Sequence, residues 1–223
     1  MRRFLDRFTA RVIRLVLSSL ARVRCVALDP LPRQGPLIIV ANHVSLIDPL
    51  LIGGWLQPVV GRRIRFLAKE QLFSGPLGWL LTRAGAIPVR AGGSDVAAYR
   101  AARAALEAGE VVCIFPEGTR SPDGRLGRPF PGVAMLAARS DVPVAAVGIA
   151  GALRFLPRGA RLPRLGTRIT LRVGAPFRLH VEPGVARRVA VARASDELMG
   201  HIAQLLPPPE RGPRLPAATG STR

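Results

Sequence analysis

Beyond residue 30 the chain alternates short apolar runs with longer amphipathic segments, and this alternation constrains its fold more than any other feature. A strand inside a sheet needs only a short apolar run, whereas a helix is longer and apolar along one side. The pattern predicts a single α/β domain in which helices flank a mostly parallel or mixed central sheet. The predicted strands are 36–41, 64–68, 86–89, 111–115, 142–149 and 167–174, and the predicted helices are 49–57, 76–83, 95–107, 131–139 and 185–205.

With 223 residues, of which 48% are hydrophobic, the chain can build one sizeable core but is too short for two large domains. We expect the α/β domain to cover residues 29–206. Residues 1–28 are expected to precede it as an amphipathic, basic helix that associates with a membrane. Residues 207–223 are rich in proline and glycine, which predicts a disordered tail.

The N-terminal segment combines apolar and arginine residues at helical spacing. On a helix, apolar and basic side chains would separate onto two sides. Arginines interrupt the apolar part too often for a helix that spans a bilayer. The segment therefore predicts a helix lying in a membrane interface, or alternatively a helix docked on its own domain with a solvated basic face. The apolar side comprises Phe4, Phe8, Val12, Leu15, Val16 and Val23, and the basic side Arg3, Arg7, Arg11, Arg14 and Arg22.

The formal net charge of +19 calls for an anionic partner, which could be nucleic acid, a lipid surface or a phosphorylated substrate. Aromatic residues make up only 5% of the chain, and the sequence has no zinc-finger or RNA-binding motif, so we expect no nucleic-acid partner. The three histidines lack the spacing of metal ligands, so we expect no metal site. Two cysteines, Cys25 and Cys113, are too few for a disulfide framework, which is compatible with a cytosol-facing location.

A histidine and an aspartate follow the first predicted strand, five residues apart. On one helix His43 and Asp48 would point about 140° away from each other, so a pair between them needs a turn. Asp48 followed by Pro49 predicts a helix N-cap with proline at the first helical position, which places His43 in the preceding loop. The spacing leaves two interpretations open, an acid/base pair or a simple boundary between strand and helix.

If the pair is catalytic, Asp48 orients a neutral imidazole, and His43 can act as a general base for a hydroxyl group. No nucleophilic side chain is evident beside it. Ser45 lacks the glycine-flanked turn of hydrolases, and Cys113 lies within an apolar strand pattern. This favours direct attack by a substrate hydroxyl over a covalent enzyme intermediate.

A second candidate segment covers residues 111–125, where an apolar strand is followed by a turn. Gly118 and Gly124 permit tight turns, and Arg120 carries a planar guanidinium suited to bidentate recognition of phosphate. The alternative is an ordinary turn in which Glu117 forms a surface ion pair with an arginine.

Together, "NHVSLID" at 42–48 and "FPEGTRS" at 115–121 resemble two motifs of the lysophospholipid acyltransferase family, in the same order and at a similar spacing. The resemblance covers residues 35–180. It implies that His43 deprotonates a glycerol hydroxyl and that Asp48 holds the imidazole. It also implies that the glycerol phosphate is bound by Glu117, Gly118, Thr119 and Arg120, and that 142–144 lines the site.

The chain departs from the family pattern at two positions. The family often has an arginine where this chain has Ala91, so Arg90 is expected to supply that phosphate contact. Phe130 stands where the family usually has a basic residue, which leaves Arg128 as the substitute. Both departures concern recognition of the head group rather than acyl transfer.

The resemblance implies a peripheral enzyme on the cytosolic face of the cytoplasmic membrane, bound to an anionic membrane surface. It would move a fatty acyl group from acyl-CoA or acyl-carrier protein to the sn-2 hydroxyl of 1-acyl-glycerol-3-phosphate, giving phosphatidic acid, with no cofactor besides the donor. Two alternatives remain at this point: a different lysolipid acceptor, or a non-catalytic basic protein that binds membrane or nucleic acid.

Overall fold

The computed structural model describes residues 2–27, 31–90, 95–180 and 184–212 of the chain. In these ranges seven α-helices and seven strands are found. The helices are α1 (Arg2–Leu20), α2 (Asp48–Val60), α3 (Gly75–Arg83), α4 (Val96–Glu107), α5 (Pro131–Ser140), α6 (Ala152–Phe155) and α7 (Arg187–Leu205). The strands are β1 (Arg22–Ala27), β2 (Leu37–Ala41), β3 (Ile64–Lys69), β4 (Ile87–Val89), β5 (Val111–Ile114), β6 (Val144–Ala150) and β7 (Arg168–Val173). Short 3-10 helices cover Glu70–Phe73 and Pro208–Glu210.

The strands form one sheet in the order β1-β7-β6-β2-β5-β3-β4. Neighbouring strands are parallel except for the antiparallel pair β6 and β7. All five residues of the central strand β2 are buried, as expected for a strand covered by helices on both faces. The predicted α/β class with a mostly parallel sheet is confirmed.

Alternate residues of β2 face two separate apolar cores. Leu37, Ile39 and Ala41 join the core under α1 and α2, which we call the α1–α2 face. Ile38 and Val40 join the core under α4, α5 and α7, which we call the α4–α7 face. The domain is therefore a three-layer sandwich whose two faces carry different helices.

The six predicted strands are all present, but an additional one was missed. The predicted N-terminal helix ends at Leu20, and residues 22–27 form the edge strand β1, which pairs with β7. The prediction of a helix through residue 28 is wrong at its C-terminal end, because Val23 and Cys25 alternate with arginines at the spacing of two that a half-buried edge strand requires.

The start of the predicted disordered tail is packed against the domain. The N–H of Leu126 donates to the carbonyl of Glu210 at 3.0 Å. Gly212 lies so close to Leu126 that a Cβ there would be 2.2 Å from its carbonyl oxygen. Residues 207–212 are thus ordered, contrary to the prediction, and 213–223 lie outside the described residues.

Helix α1 packs on α2 through its small and aliphatic side chains. Ala10 and Leu17 are buried, and Ile13 lies against Gly54, where a Cβ would be 3.0 Å from the Ile13 side chain. Asp6 anchors the first half of α1 by an ion pair of 2.8 Å with Arg63. The helix is therefore docked on its own domain, as the alternative interpretation required.

The opposite side of α1 nevertheless leaves Phe8, Val12, Leu15 and Val16 exposed. These are four of the apolar residues that the helical spacing grouped together, and their contact with a membrane stays a prediction. In the part of the chain that the structure describes, no helix combines the length and the continuous apolar character needed to cross a bilayer.

Candidate active site

The two candidate motifs follow neighbouring strands at the same edge of the sheet. His43 follows β2, and Glu117 follows β5. Because β2 and β5 are parallel neighbours, the loops at their carboxyl ends leave the sheet side by side. We call this edge, which carries both loops, the catalytic edge.

The His43 and Asp48 side chains are hydrogen-bonded, with Nδ1 of the ring 2.8 Å from Oδ2 of the carboxylate. Asp48 is fully buried, whereas 19% of the His43 side chain is exposed. A neutral ring that donates from Nδ1 carries its lone pair on Nε2, and Nε2 is then the nitrogen available to a substrate. The pair has the geometry of an oriented general base.

Asp48 does not cap its helix, contrary to the prediction. Helix α2 begins at Asp48, and Ile47 occupies the N-cap position without a side-chain hydrogen bond. Oδ2 of Asp48 instead accepts hydrogen bonds from the backbone N–H groups of Val44 and Ser45, both at 2.7 Å. The carboxylate thus folds back over the preceding loop and holds it in shape around the imidazole.

Three residues beside His43 were missed by sequence reasoning. Phe115 stacks on the imidazole with ring centroids 4.2 Å apart. The N–H of Ser121 donates to the His43 carbonyl at 2.7 Å. The Asn42 side chain bridges to the backbone of Ile149 on β6 by hydrogen bonds of 2.9 and 2.7 Å. All three lie within the two motifs, but only the fold brings their contacts together.

Glu117 joins the two loops. Its carboxylate accepts from the backbone N–H of His43 and from that of Gly127, each at 2.8 Å. Burial raises the pKa of the Glu117 carboxyl, and the two N–H donors act in the opposite direction. The resemblance implied a phosphate contact for Glu117, but a carboxylate whose two oxygens are bound in this way favours an organising role, since it would repel a phosphate.

A cleft of about 580 Å³ adjoins Glu117 and is lined by several of the other predicted residues, among them Thr119, Arg120 and Arg128. Arg125 adds a third guanidinium to its wall. Two carboxylates, Glu117 and Asp123, line the same cleft, so its three guanidinium groups leave a small excess of positive charge, which favours an anion such as phosphate. Gly118 does not line this cleft, but its positive φ of 64° forms the turn that precedes Arg120.

A sequence model of the Acyltransferase family matches residues 22–150, more than half of the chain. The chain belongs to the acyltransferase family. The matched region contains β1 to β6 and both loops of the catalytic edge.

Several relatives of this chain are named 1-acyl-sn-glycerol-3-phosphate acyltransferase. A chloroplastic 1-acyl-sn-glycerol-3-phosphate acyltransferase from Brassica napus is 31% identical over 137 residues, which is 60% of this chain and 38% of that protein. An enzyme of the same name from Bacillus subtilis is 27% identical over 155 residues, 69% of this chain and 76% of that protein. The matched region therefore spans well under half the length of the plant relative.

The fold is similar to the crystal structure of the 1-acyl-sn-glycerophosphate (LPA) acyltransferase PlsC from Thermotoga maritima. The TM-score is 0.69 at 25% sequence identity, and the match covers 91% of this chain and 79% of that one.

Two of the predicted contacts do not line this cleft. Arg90 follows the edge strand β4, and its guanidinium lies 3.7 Å from Glu70. The 142–144 segment lies where β6 begins, at the opposite edge of the sheet, and Val144 is buried in the core of the α4–α7 face. The expectation that 142–144 lines the site is wrong, because the strand carries the chain across the sheet before it reaches the catalytic edge. Ala91 lies outside the described residues.

The two side chains considered as nucleophiles, Ser45 and Cys113, are buried. Ser45 is fully buried, and its hydroxyl donates to the carbonyl of Leu156 at 3.1 Å. Cys113 is fully buried in β5, and burial raises the pKa of its thiol well above the usual range. Neither of these two groups is poised for attack, which suits a base at His43 that activates a substrate hydroxyl.

Proposed function

We propose that this protein transfers a fatty acyl group from a thioester donor to the sn-2 hydroxyl of 1-acyl-glycerol-3-phosphate, producing phosphatidic acid. The observation that carries the proposal is the His43–Asp48 pair, held at 2.8 Å beside a cleft that three arginines line. The names of the relatives from Brassica napus and Bacillus subtilis support this acceptor. A non-catalytic basic protein would have no use for an oriented imidazole at this edge.

In the proposed reaction, Nε2 of His43 takes the proton of the sn-2 hydroxyl as its oxygen attacks the thioester carbonyl. A C–O bond forms, and Asp48 stabilises the imidazolium through Nδ1. Collapse of the tetrahedral intermediate breaks the C–S bond, and the departing thiolate takes the proton from His43. The products are the ester and the free thiol of CoA or acyl-carrier protein, and the sequence of steps draws on no further cofactor.

The phosphate of the acceptor is proposed to bind in the cleft, on Arg120 and Arg128 with Thr119 beside them. Guanidinium groups recognise phosphate by paired, charge-assisted hydrogen bonds. This arrangement would hold the glycerol backbone next to His43, since Glu117 lines the cleft and also accepts the backbone N–H of His43.

Replacing Arg120 with alanine should raise the KM for lysophosphatidic acid by at least about tenfold and leave the KM for the acyl donor nearly unchanged, because only the acceptor loses charge-assisted hydrogen bonds. Steady-state kinetics with each substrate varied in turn measure both values. Arg139→Ala, which removes an exposed arginine from the last turn of α5, is the matched control. An equal change in both KM values would show that Arg120 is misassigned.

We propose further that the protein is peripheral on the cytosolic face of the cytoplasmic membrane, attached to an anionic surface by the exposed side of α1. Phe8, Val12, Leu15 and Val16 are available on that side, while arginines such as Arg11 are exposed beside them. Apolar insertion and attraction to anionic lipid act together in such helices.

The double substitution Phe8→Gln/Leu15→Gln should weaken co-sedimentation with anionic vesicles by about tenfold, because it removes two inserting side chains and keeps helix-forming residues. The substitutions leave the buried residues Ala10 and Leu17 in place, whereas a deletion of the whole helix would also remove these two residues from the core. Turnover of a short, soluble lysolipid should be nearly unchanged. Added salt should weaken attachment of the parent protein only in part, since screening acts on the arginines alone.

The matched control is Val96→Gln/Val189→Gln, which changes two exposed valines on helices of the α4–α7 face. If the Phe8/Leu15 variant and the control sediment equally well with the vesicles, the exposed side of α1 does not contact the bilayer.

A further inference from the structure

Residues 156–168, from the end of α6 to the first residue of β7, expose two leucines among arginines. Leu162 is 80% exposed and Leu165 is 70% exposed. The segment also contains four arginines and no acidic residue; the arginines are Arg158, Arg161, Arg164 and Arg168. We call residues 156–168 the arginine–leucine loop.

Hydrogen bonds hold this loop in place. The N–H of Arg164 donates to the carbonyl of Phe155 at 2.8 Å, and the hydroxyl of Thr167 donates to the Arg164 carbonyl at 2.6 Å. The N–H of Gly166 donates to the carbonyl of Leu20 at 2.8 Å. Leu162 and Leu165 are therefore carried on a backbone that is tied to α1 and α6.

The loop lies between the end of α1 and the loop that carries His43. Its bond to Leu20 joins it to the C-terminal end of α1, one turn beyond the exposed Val16. At its other end, the carbonyl of Leu156 accepts from the hydroxyl of Ser45, two residues after His43. The arginine–leucine loop thus links the exposed side of α1 to the catalytic edge.

Other exposed apolar side chains adjoin the same edge. Leu46 lies between His43 and Asp48 in the sequence, Leu50 lies two residues beyond Asp48, and both are exposed. Scattered surface leucines are common, but exposed leucines on two segments that the Ser45–Leu156 hydrogen bond joins, bordered by arginines, are typical of an interfacial surface.

We propose that the arginine–leucine loop is a second bilayer contact, in which Leu162 and Leu165 insert into the interface and the surrounding arginines bind the phosphates of anionic lipids. Charge complementarity identifies the occupant, because four guanidinium groups without a carboxylate match an anionic lipid surface, and the two leucines match its apolar boundary. With α1 as the first contact, a second one at the catalytic edge turns His43 toward the lipid. The claim that the contact orients His43 rests on the proposed function, whereas the claim that the loop contacts the bilayer does not.

Two attachment points on one rigid domain reinforce each other, because binding of the first raises the effective concentration of the second at the membrane. Loss of the loop contact should therefore reduce membrane binding even though α1 is intact. It should also reduce turnover of lysolipid embedded in vesicles more than turnover of a short, soluble lysolipid.

The test compares full-length Leu162→Gln/Leu165→Gln with the parent protein and with the Val96→Gln/Val189→Gln control, using vesicles of phosphatidylglycerol and phosphatidylcholine. We expect the loop variant to bind at least about tenfold more weakly than the parent. The control should bind like the parent. Turnover of the soluble lysolipid should be retained by all three proteins, which also shows that each is folded.

A local probe separates the loop from α1. The parent protein already contains Trp55 and Trp79, and their quenching by brominated lipids is the background. An added tryptophan at the loop, as Leu165→Trp, should increase quenching above that background, whereas Val96→Trp should not. Binding of the Leu162/Leu165 variant equal to that of the parent, or quenching of Leu165→Trp no greater than that of the parent, would overturn the proposal.

Charge substitutions distinguish lipid from an acidic protein partner. Arg158→Gln/Arg161→Gln should weaken binding to anionic vesicles and reduce its salt dependence. Unchanged vesicle binding together with a raised KM for acyl-carrier protein would overturn the lipid assignment in favour of a protein partner. Failure of the proposed function would be seen separately, as a parent protein that binds vesicles but transfers no acyl group to any lysolipid.

Discussion

Replacement of His43 by alanine is expected to lower kcat/KM for acyl transfer by about 10³-fold or more, since the variant has no base to accept the hydroxyl proton. The fold should survive. The backbone N–H of His43 still donates to Glu117, and its carbonyl still accepts from Ser121, because alanine keeps both groups. Thioester turnover with a short, soluble lysolipid measures the loss without interference from membrane binding.

The matched control is His180→Ala, which removes an exposed imidazole just after the isolated bridge between Phe177 and Val144. It should keep parental activity. Circular dichroism and a thermal melt of both variants establish that they are folded. A folded His43→Ala protein with full activity would exclude the proposed mechanism.

Asp48→Asn is expected to lower kcat by at least about 10²-fold, less than the loss of His43. An asparagine can offer its NH₂ group to Nδ1, which favours the tautomer with the proton on Nε2, the nitrogen that must accept the proton. It also carries no charge to stabilise the imidazolium. Single-turnover kinetics with saturating donor and acceptor measure the chemical step directly.

Two further variants sharpen this result. Asp95→Asn is the matched control, because Asp95 caps α4 by accepting from the N–H groups of Ala97 and Ala98, a role that asparagine also performs. The double variant His43→Ala/Asp48→Asn should be no slower than His43→Ala alone, since Asp48 acts through the imidazole. Additive losses would mean that Asp48 has a catalytic role independent of His43.

The strands were the most predictable part of the fold. The central strands β2 and β5 are buried on both faces, so their apolar runs are continuous and easily recognised. Edge strand β1 was missed because Arg22 and Arg24 alternate with half-buried residues, and over six residues this pattern also fits the end of a basic helix.

The candidate site was predictable at the level of residue identity. A histidine after a buried strand and an arginine after a glycine turn could be selected from local chemistry and from the resemblance. The contacts that each of these residues makes could not be predicted in this way. Asp48 next to Pro49 has the composition of a helix cap, yet its carboxylate binds the N–H groups of Val44 and Ser45 because the loop before α2 folds over it.

The sequence by itself determined that this protein is an α/β domain, that His43 and Asp48 lie where a strand gives way to a helix, and that arginines accompany a second turn. These follow from apolar periodicity and side-chain chemistry, which act over a few residues. Only the tertiary structure decided which segments meet. Glu117 reaches the backbone of His43 across 74 positions because β5 lies parallel to β2, and 142–144 is excluded from the site because β6 begins at the opposite edge. Strand order and direction depend on the packing of whole layers, and no local pattern carries that information.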